Sequence, residues 1–184
     1  MVAIREELPT DIAGREALLD ASFGEERFEK TCERLREGRT PADGLSLVLE
    51  LDGKVAGTVR LWPITAGPGR PALLLGPIAV DCRLHGLGLG SRLMREALMR
   101  AKARGPGAVL LAGDAPYYRR FGFSADKTGL LRLPGPCEPD RFLALELRPG
   151  ALNGARGAVA PAGEADLALV AAAANDAGAA VRVA

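Results

Sequence analysis

Alternating and hairpin-forming segments near the start of the chain predict β-strands. Residues 2–7 alternate between apolar and polar positions and predict a first strand. Residues 45–51 and 54–63 are also strand-like, and Asp52-Gly53 between them is a favoured two-residue hairpin turn. These segments predict three strands, two of which form a hairpin.

A continuous apolar run over residues 72–80 predicts a central strand, because such a strand is covered on both faces. The run contains Gly76-Pro77. Proline removes a backbone donor from the ladder and glycine weakens the pleat. We therefore expect a bulge or a splayed strand pairing at this dipeptide.

Two regions show helical spacing. Over residues 89–104 the apolar positions recur every three or four residues, which predicts a helix with one buried face and a basic outer face. Upstream, a helix start with Thr10 or Asp11 as its cap is followed by two short helical patterns. We expect a break between them near Phe23-Gly24.

The second half of the chain continues with alternating element types. Residues 108–112 predict a short buried strand, which completes a strand, loop, helix, strand crossover of the usual right hand. A short helix should begin near Pro116 and end at Gly122. One or two final strands are expected from residues 130–133 and 141–147. The predicted fold class is α/β, of the mixed α+β kind.

The composition changes after Pro149 to mostly alanine and glycine, with no aromatic residue. Residues 165–174 have high helix propensity, yet little apolar bulk is available to dock them. We therefore predict a main domain over residues 1–148 and a peripheral or partly disordered extension over residues 149–184.

Size, composition and charge narrow the class of protein. The chain has 184 residues, 48% of them hydrophobic, and a formal net charge of +1. No apolar run approaches the roughly 20 residues of a membrane helix, and the start lacks the apolar core of a signal peptide. We expect a cytoplasmic protein whose partner is a small molecule or a peptide, since nucleic-acid and membrane-surface proteins normally carry a basic excess.

The few histidine and cysteine residues disfavour metal and hydrolase chemistry. Cys32, Cys82 and Cys137 are odd in number and far apart, so free thiols are expected, and Cys82 lacks an activating base. The single histidine, His85, excludes a zinc site assembled from imidazoles and disfavours a Ser-His-Asp triad. No metal is expected.

A glycine-rich loop follows the apolar strand, with Gly86, Gly88 and Gly90 at every second position before the predicted helix. Glycines let the backbone approach an anion with its N–H groups, and the helix contributes the positive end of its dipole. The spacing does not meet the GxGxxG fingerprint of dinucleotide-binding proteins, and no Gly-Lys-Ser or Gly-Lys-Thr run is present. The loop predicts a phosphate cradle of another kind.

This loop resembles the acyl-CoA signature of the GCN5-related N-acetyltransferase family, in which Gln or Arg is followed by x-x-Gly-x-Gly or Ala and then x-x-Leu. The frame that starts at Arg83 has the favoured first residue but places Ser91 where the leucine belongs. The frame that starts at His85 keeps Leu93 and the preceding Val-Asp pair, with histidine in the Gln/Arg position. We prefer the second frame.

The resemblance covers residues 2 to 148. Residues 75–80 (LGPIAV) and 117–123 (YYRRFGF) look especially like a bacterial branch of the family, the YhbS-type acetyltransferases. The resemblance implies the acyl-CoA N-acyltransferase fold, in which a central mixed, mostly antiparallel sheet has a splayed central strand pair and is flanked by helices.

The resemblance also implies which residues bind acetyl-CoA. Backbone amides of the loop, with His85, would bind the pyrophosphate without a side-chain charge. The irregular strand would take the pantetheine arm by strand-like hydrogen bonding, and an N–H near Ala79 or Val80 would polarise the thioester carbonyl. The implied cofactor-binding residues are Ile78, Ala79, Val80, His85, Gly86, Leu87, Gly88, Leu89, Gly90 and Ser91.

Tyr118 stands four residues before the glycine of a Gly-Phe pair, where the family has the tyrosine that donates a proton to the leaving thiolate. Tyr117 is expected to pack on Phe121, one helical turn further on.

The identity of the general base is left open. Glu25, Glu26 and Glu29 are candidates, but they are also consistent with surface charges, and water could remove the proton instead. For the basic residues near the loop we expect mainly solvated positions; these are Arg92, Arg95, Arg119 and Arg120.

The sequence therefore predicts an N-acetyltransferase that transfers an acetyl group from acetyl-CoA to a primary amine by direct attack. The acceptor is a small molecule or a peptide, and a homodimer is left open. The alternatives are a non-catalytic acyl-CoA-binding or regulatory module of the same fold, and a nucleotide-dependent oxidoreductase, whose fingerprint the loop does not meet.

Overall fold

The structure is a computed structural model that describes residues 2–167, apart from the Glu25 side chain. The predicted alanine-rich helix at 165–174 lies outside these residues beyond Leu167. The strands are β1 (Val2–Glu6), β2 (Ser46–Leu51), β3 (Lys54–Ala66), β4 (Pro71–Val80), β5 (Ala108–Ala112), β6 (Leu131–Arg132), β7 (Phe142–Glu146) and β8 (Gly157–Pro161). The helices are α1 (Ile12–Phe23), α2 (Leu89–Arg104) and α3 (Ala115–Arg119).

The strands form a mixed sheet in the order β1-β2-β3-β4-β5-β7, in which β8 pairs with β3 and β6. All neighbours on the main path are antiparallel except the β4–β5 pair. The hairpin between β2 and β3 turns at Asp52 (φ 50°) and Gly53 (φ 79°), both in the left-handed region that a primed two-residue turn requires. The predicted mixed α/β class is confirmed.

The predicted irregularity at Gly76-Pro77 is present. β3 and β4 pair Val59 with Ile78 and Leu61 with Leu75, so two residues of β4 lie opposite the single Arg60. The peptide bond between Gly76 and Pro77 is cis. On its other edge β4 pairs with β5 only at Leu73 and Leu74, so this edge is open from Leu75 onward.

Apolar side chains cover both faces of the sheet. On one face α2 buries Leu93, Met94, Ala97 and Ala101, as its spacing predicts. The opposite face packs a second cluster, which includes Leu35, Trp62, Leu74, Leu110 and Phe142. Packing on both faces holds β4 in place within the sheet, and its open edge is therefore fixed relative to α2.

The region after α1 differs from the predicted second helix. Gly24 ends α1 with φ 66°, and the chain continues as two 3-10 turns, Glu25–Phe28 and Thr31–Leu35. Leu35 is the single residue of these turns with a buried side chain among those described, so too little apolar surface is available to hold a longer helix.

The segment that follows Pro149 contributes to the core over part of its length, which the sequence did not predict. Leu152, Ala155 and Val159 are buried, and β8 pairs with the end of β3. Small residues suffice here because strand pairing supplies the contacts. The division between residues 1–148 and 149–184 stays a prediction. Within residues 2–167, no helix is long and apolar enough to cross a membrane.

Candidate active site

An open cleft of about 1380 Å³ lies at the free edge of β4. Its floor is the end of β4, one wall is the loop and first turn of α2, and the other wall is the segment from β5 into α3. The 3-10 turns after α1 and residues 136–141 close the far end. A cleft of this size accommodates a ligand of cofactor dimensions.

The glycine loop forms a cradle at one end of the cleft. Gly86 (φ 83°) and Gly88 (φ 74°) have left-handed backbones, and a Cβ added at either would meet no atom within 4 Å. Gly88 caps α2, whose first hydrogen bond runs from the Arg92 amide to the Gly88 carbonyl. The preceding amides of the first turn are therefore left for another acceptor, as expected of an anion site.

The predicted cofactor-binding residues line this cleft with one exception. Leu87 is 67% exposed and is not among the lining residues. The cleft brings together Ile78, Ala79, Val80, His85, Gly86, Gly88, Leu89, Gly90 and Ser91. Their role in cofactor binding stays a prediction.

His85 connects the loop to the end of β4. Its Nε2 lies 3.0 Å from the Val80 carbonyl oxygen, so this nitrogen carries the hydrogen and donates it. Arg83, the alternative first residue of the motif, instead forms an exposed ion pair with Asp81 (2.5 Å). The Arg83 hydrogen bonds lower the pKa of Asp81 to about 2. Because His85 lines the cleft and Arg83 does not, the geometry favours the frame that starts at His85.

Tyr118 lies on the wall opposite the cradle. Asp114 caps α3 by accepting the Tyr117 amide at 3.1 Å, which fixes the start of this short helix. The Tyr118 ring packs edge-on against Tyr117 (5.1 Å between centroids) and Phe123 (6.0 Å). Burial, with smaller contributions from Tyr117 and Asp114, raises the pKa of Tyr118 to about 12. The hydroxyl therefore keeps its proton at neutral pH.

The neighbouring Tyr117 has the packing role expected from its spacing. Its ring lies 5.5 Å from that of Phe121, and the Arg120 guanidinium lies 4.6 Å from its centroid. A Cβ added at Gly90 would lie 3.4 Å from the Tyr117 hydroxyl, which places that hydroxyl beside the cradle. Of the four arginines near the loop, Arg120 lines the cleft, whereas Arg92, Arg95 and Arg119 do not.

Gly113 makes room for the Tyr118 ring. A Cβ at Gly113 would lie 2.3 Å from Tyr118 Cε2 and 2.9 Å from Cδ2, distances at which the ring would have to move. The Gly113 amide donates to the Arg141 carbonyl at 2.9 Å, which ties this residue to the next wall of the cleft. The sequence gives no sign of this close approach, since a glycine after a strand is common in loops.

The far end of the cleft is lined by charged side chains. Of the three candidate bases, Glu29 lines the cleft, Glu26 does not, and the Glu25 side chain lies outside the described part of the structure. Glu33 and Arg36 line the same end, and sequence reasoning missed both. They lie in a polar stretch, Glu33-Arg34-Leu35-Arg36-Glu37, that is typical of a solvated surface.

Comparisons with known proteins agree on one family. Residues 12–123 match the model of the acetyltransferase (GNAT) family. The uncharacterised N-acetyltransferase YhbS of Escherichia coli K12 is 34% identical over 157 residues, which is 85% of this chain and 93% of that protein.

Two solved structures extend the similarity to three dimensions. The crystal structure of YhbS from E. coli in complex with CoA has a TM-score of 0.73 at 34% identity, and the match covers 88% of this chain and 89% of that one. The crystal structure of a GNAT family acetyltransferase from Brucella melitensis in complex with acetyl-CoA has a TM-score of 0.55 at 30% identity. That match covers 79% of this chain and 96% of the other.

Proposed function

We propose, from the premise that this chain belongs to the acetyltransferase (GNAT) family, that it transfers the acetyl group of acetyl-CoA to a primary amine by direct attack. The observation that carries the proposal is the single cleft that joins the glycine cradle, the open edge of β4 and Tyr118. The free thiols Cys32, Cys82 and Cys137 agree with the cytoplasmic location proposed from the sequence.

Acetyl-CoA would lie along β4 with its pyrophosphate in the cradle. The pyrophosphate accepts hydrogen bonds from the first-turn amides of α2, which also place the positive end of the helix dipole beside it. The pantetheine arm then runs along the edge of β4 that β5 leaves open beyond Leu74. This edge binds an amide-bearing chain in the manner of an added strand.

The alternation of the strand identifies which amides are available. The Asp81 amide donates to the Ala56 carbonyl, so Asp81 and Ala79 direct their backbone groups toward β3. Ile78 and Val80 therefore direct theirs toward the open edge, and the Val80 carbonyl on that edge accepts from His85. Because the arm runs away from the cradle, it passes Val80 before Ile78. We therefore assign polarisation of the thioester carbonyl to the Ile78 N–H, with Val80 holding the arm, rather than to the Ala79 or Val80 N–H expected from the sequence.

The transfer step forms a C–N bond and breaks a C–S bond. The amine nitrogen attacks the thioester carbon, and the Ile78 N–H stabilises the negative charge that develops on the carbonyl oxygen. As the intermediate collapses, the Tyr118 hydroxyl donates its hydrogen to the departing sulfur. The nitrogen loses one proton, through Glu29 or water, and the hydroxyl regains one, so the products are an amide and free CoA.

Calorimetry and a thiol-release assay test the proposal. Acetyl-CoA should bind and NAD should not, and at least one member of a primary-amine panel should release CoA thiol from acetyl-CoA above the hydrolysis rate. Binding of NAD without binding of acetyl-CoA would overturn the cofactor assignment. Binding of acetyl-CoA with no thiol release on a broad panel would indicate a non-catalytic acyl-CoA-binding module.

Replacement of Gly113 by alanine tests the position of Tyr118. The new Cβ forces the ring away from its place, and a displacement of about 1 Å can reduce a rate by roughly 100-fold. We expect kcat to fall by about tenfold to 100-fold, with the affinity for acetyl-CoA unchanged in calorimetry.

The control for this variant is Gly129→Ala, because a Cβ at Gly129 meets no atom within 4 Å. If Gly113 acts through the hydroxyl, Gly113→Ala should have little further effect in a Tyr118→Phe background. Additive losses in the double variant would contradict this positioning role.

A further inference from the structure

A buried guanidinium at the far end of the cleft has hydrogen-bonding capacity that the protein leaves unused. Arg36 follows the 3-10 turn Thr31–Leu35, is 8% exposed and lines the cleft. Its Nη2 lies 2.7 Å from a Glu33 carboxylate oxygen. Its Nε is fully buried and has no hydrogen-bond partner within the described residues.

This arrangement is costly without a further partner. A guanidinium has five N–H donors and stays protonated, and a donor on a charged group that is buried without an acceptor loses its hydration without compensation. Burial lowers the pKa of Arg36, and Glu33 opposes this effect. Glu33 satisfies only part of the group, and Arg36 lines the cleft, so a further acceptor for its other donors, either water or a ligand, would lie in the cleft.

The neighbouring groups do not provide that acceptor. Arg27, the other cation that acts on Arg36, is held by Glu16 (2.5 Å) and Asp20 (2.9 Å). The Cys32 thiol faces Arg36 too, and burial raises its pKa, so it is not an anion at neutral pH. Because Arg36 lines the cleft, a ligand or water there is the acceptor that remains.

Arg36 lies beyond the position proposed for the thioester. A Cβ at Gly76 would lie 3.9 Å from Arg36 Nη1, so the guanidinium lies beside Gly76, whose carbonyl accepts from Trp62 Nε1 at 2.6 Å. Gly76 precedes Ile78 by two residues, about 7 Å along a strand, on the side away from the cradle. An acceptor amine that attacks the thioester from the far end of the cleft therefore has Arg36 beside it.

We propose that Arg36 binds a carboxylate of the acceptor, so that the substrate class is an amine that also carries a carboxylate. The planar fork of a guanidinium matches the two oxygens of a carboxylate, and such charge-assisted pairs are about twice as strong as neutral ones. Glu33 holds Nη2 and leaves the Nη1 side of the fork, beside Gly76, for the ligand. This inference rests on the proposed acetyl transfer and specifies its acceptor.

The experiment compares amines in matched pairs, in which each α- or ω-amino acid is assayed beside its own primary amide by thiol release. The amino group of an amino-acid amide is less basic than that of the free acid, so a larger fraction of it is neutral and able to attack. Intrinsic reactivity therefore favours the amide. We expect the reverse order, with kcat/KM for the best acid at least about tenfold higher than for its amide, as a hydrogen-bonded charge pair implies.

The Arg36→Met variant should remove this preference through KM. The KM for the acid should rise by about tenfold or more, while kcat and the kinetics of the amide stay unchanged. Arg36→Lys keeps the charge but not the planar fork, so its KM for the acid should lie between those of the wild type and Arg36→Met. Arg34→Met is the matched control, because Arg34 lies two residues before Arg36, in the turn Thr31–Leu35, but is exposed and does not line the cleft.

Thermal unfolding and acetyl-CoA calorimetry verify that each variant is folded. If Arg36→Met does not fold, the Glu33→Gln/Arg36→Met double variant, which leaves no unpaired carboxylate, replaces it. Wild-type acetylation of amines without a preference for the acid overturns the inference and leaves the proposed function standing. If no amine is acetylated, the inference is tested by calorimetry of the CoA-loaded protein with an N-acetyl amino acid and with its amide. Equal affinity for the two ligands overturns the inference as well.

Discussion

Replacing Tyr118 with phenylalanine should lower kcat by about 100-fold while the affinity for acetyl-CoA is retained. General acid catalysis contributes roughly 100- to 10,000-fold in enzymes, and the environment of Tyr118 decides where in that range it falls. Burial raises the pKa of the hydroxyl to about 12, whereas thiols ionise near about 8.5. Full proton transfer to a thiolate is therefore uphill, and hydrogen bonding to the developing charge supplies most of the effect. We expect the lower end of the range.

The pH profile provides a second measurement on the same residue. A tyrosine of ordinary pKa loses its proton at about pH 10, whereas the Tyr118 hydroxyl, whose pKa is raised to about 12, should keep its proton at that pH. Because the raised pKa keeps the donor protonated, kcat should not fall between pH 8 and pH 10 through ionisation of this group. A Tyr118-dependent loss of kcat with an apparent pKa near about 10 would contradict the burial that the structure shows.

Tyr117→Phe is the natural comparison, since it removes a hydroxyl from the adjacent residue. That hydroxyl lies beside Gly90 at the cradle, so its loss should act mainly on acetyl-CoA affinity. Stopped-flow or steady-state assays with a good acceptor separate the two variants. Full activity of Tyr118→Phe would exclude the proton-donor role, and an equal loss of kcat in both variants would assign the effect to packing of the ring pair.

The sequence predicted those parts of the fold that depend on local features, such as the regular spacing of apolar residues or a proline within a strand. The spacing over residues 89–104 predicted α2 at its observed bounds, Leu89–Arg104. A proline inside an apolar run predicted the irregular pairing at Gly76-Pro77, since proline has no donor for a regular ladder. In both cases a local rule of the backbone decides the outcome.

Features that depend on tertiary contact were not predictable in the same way. β8 contains small residues with one buried valine, and its partners β3 and β6 are distant in sequence or very short. Arg36 lies in a polar stretch, yet the fold buries its side chain. The steric need for glycine at position 113 arises from a ring five residues later. None of these follows from spacing, because each depends on which surfaces meet.

Only part of the candidate site could be predicted from local sequence features. The cradle and Tyr118 were predicted because short motifs carry them. Glu33 and Arg36 at the proposed acceptor end were not, because the turns after α1 and residues 136–141 form this end only in the folded chain. The residues proposed to select the acceptor therefore depend on tertiary contacts, whereas the proposed cofactor end is marked by short sequence motifs.

Replacing Gly88 with valine should abolish acetyl-CoA binding under conditions in which the wild type is saturated, a loss of at least about 100-fold in affinity. Gly88 has φ 74° and caps α2. A β-branched residue in this region costs of order 1–3 kcal/mol in backbone strain, and its side chain would occupy the part of the cleft where we propose that the pyrophosphate binds. Any relaxation of the strain reorients the first-turn amides, which are the donors of the cradle.

The effect of strain alone is measured by Gly53→Val. Gly53 has a similar backbone (φ 79°), and a Cβ there also meets no atom within 4 Å, but it lies in the β2–β3 turn outside the cleft. Both variants should lower Tm, since each forces valine into a left-handed conformation, and only Gly88→Val should lose acetyl-CoA in calorimetry. Because strain is matched, the difference between the two isolates the cradle. Equal affinities in both variants would place the pyrophosphate elsewhere and would leave the open edge of β4 without the anchor that the transfer mechanism requires.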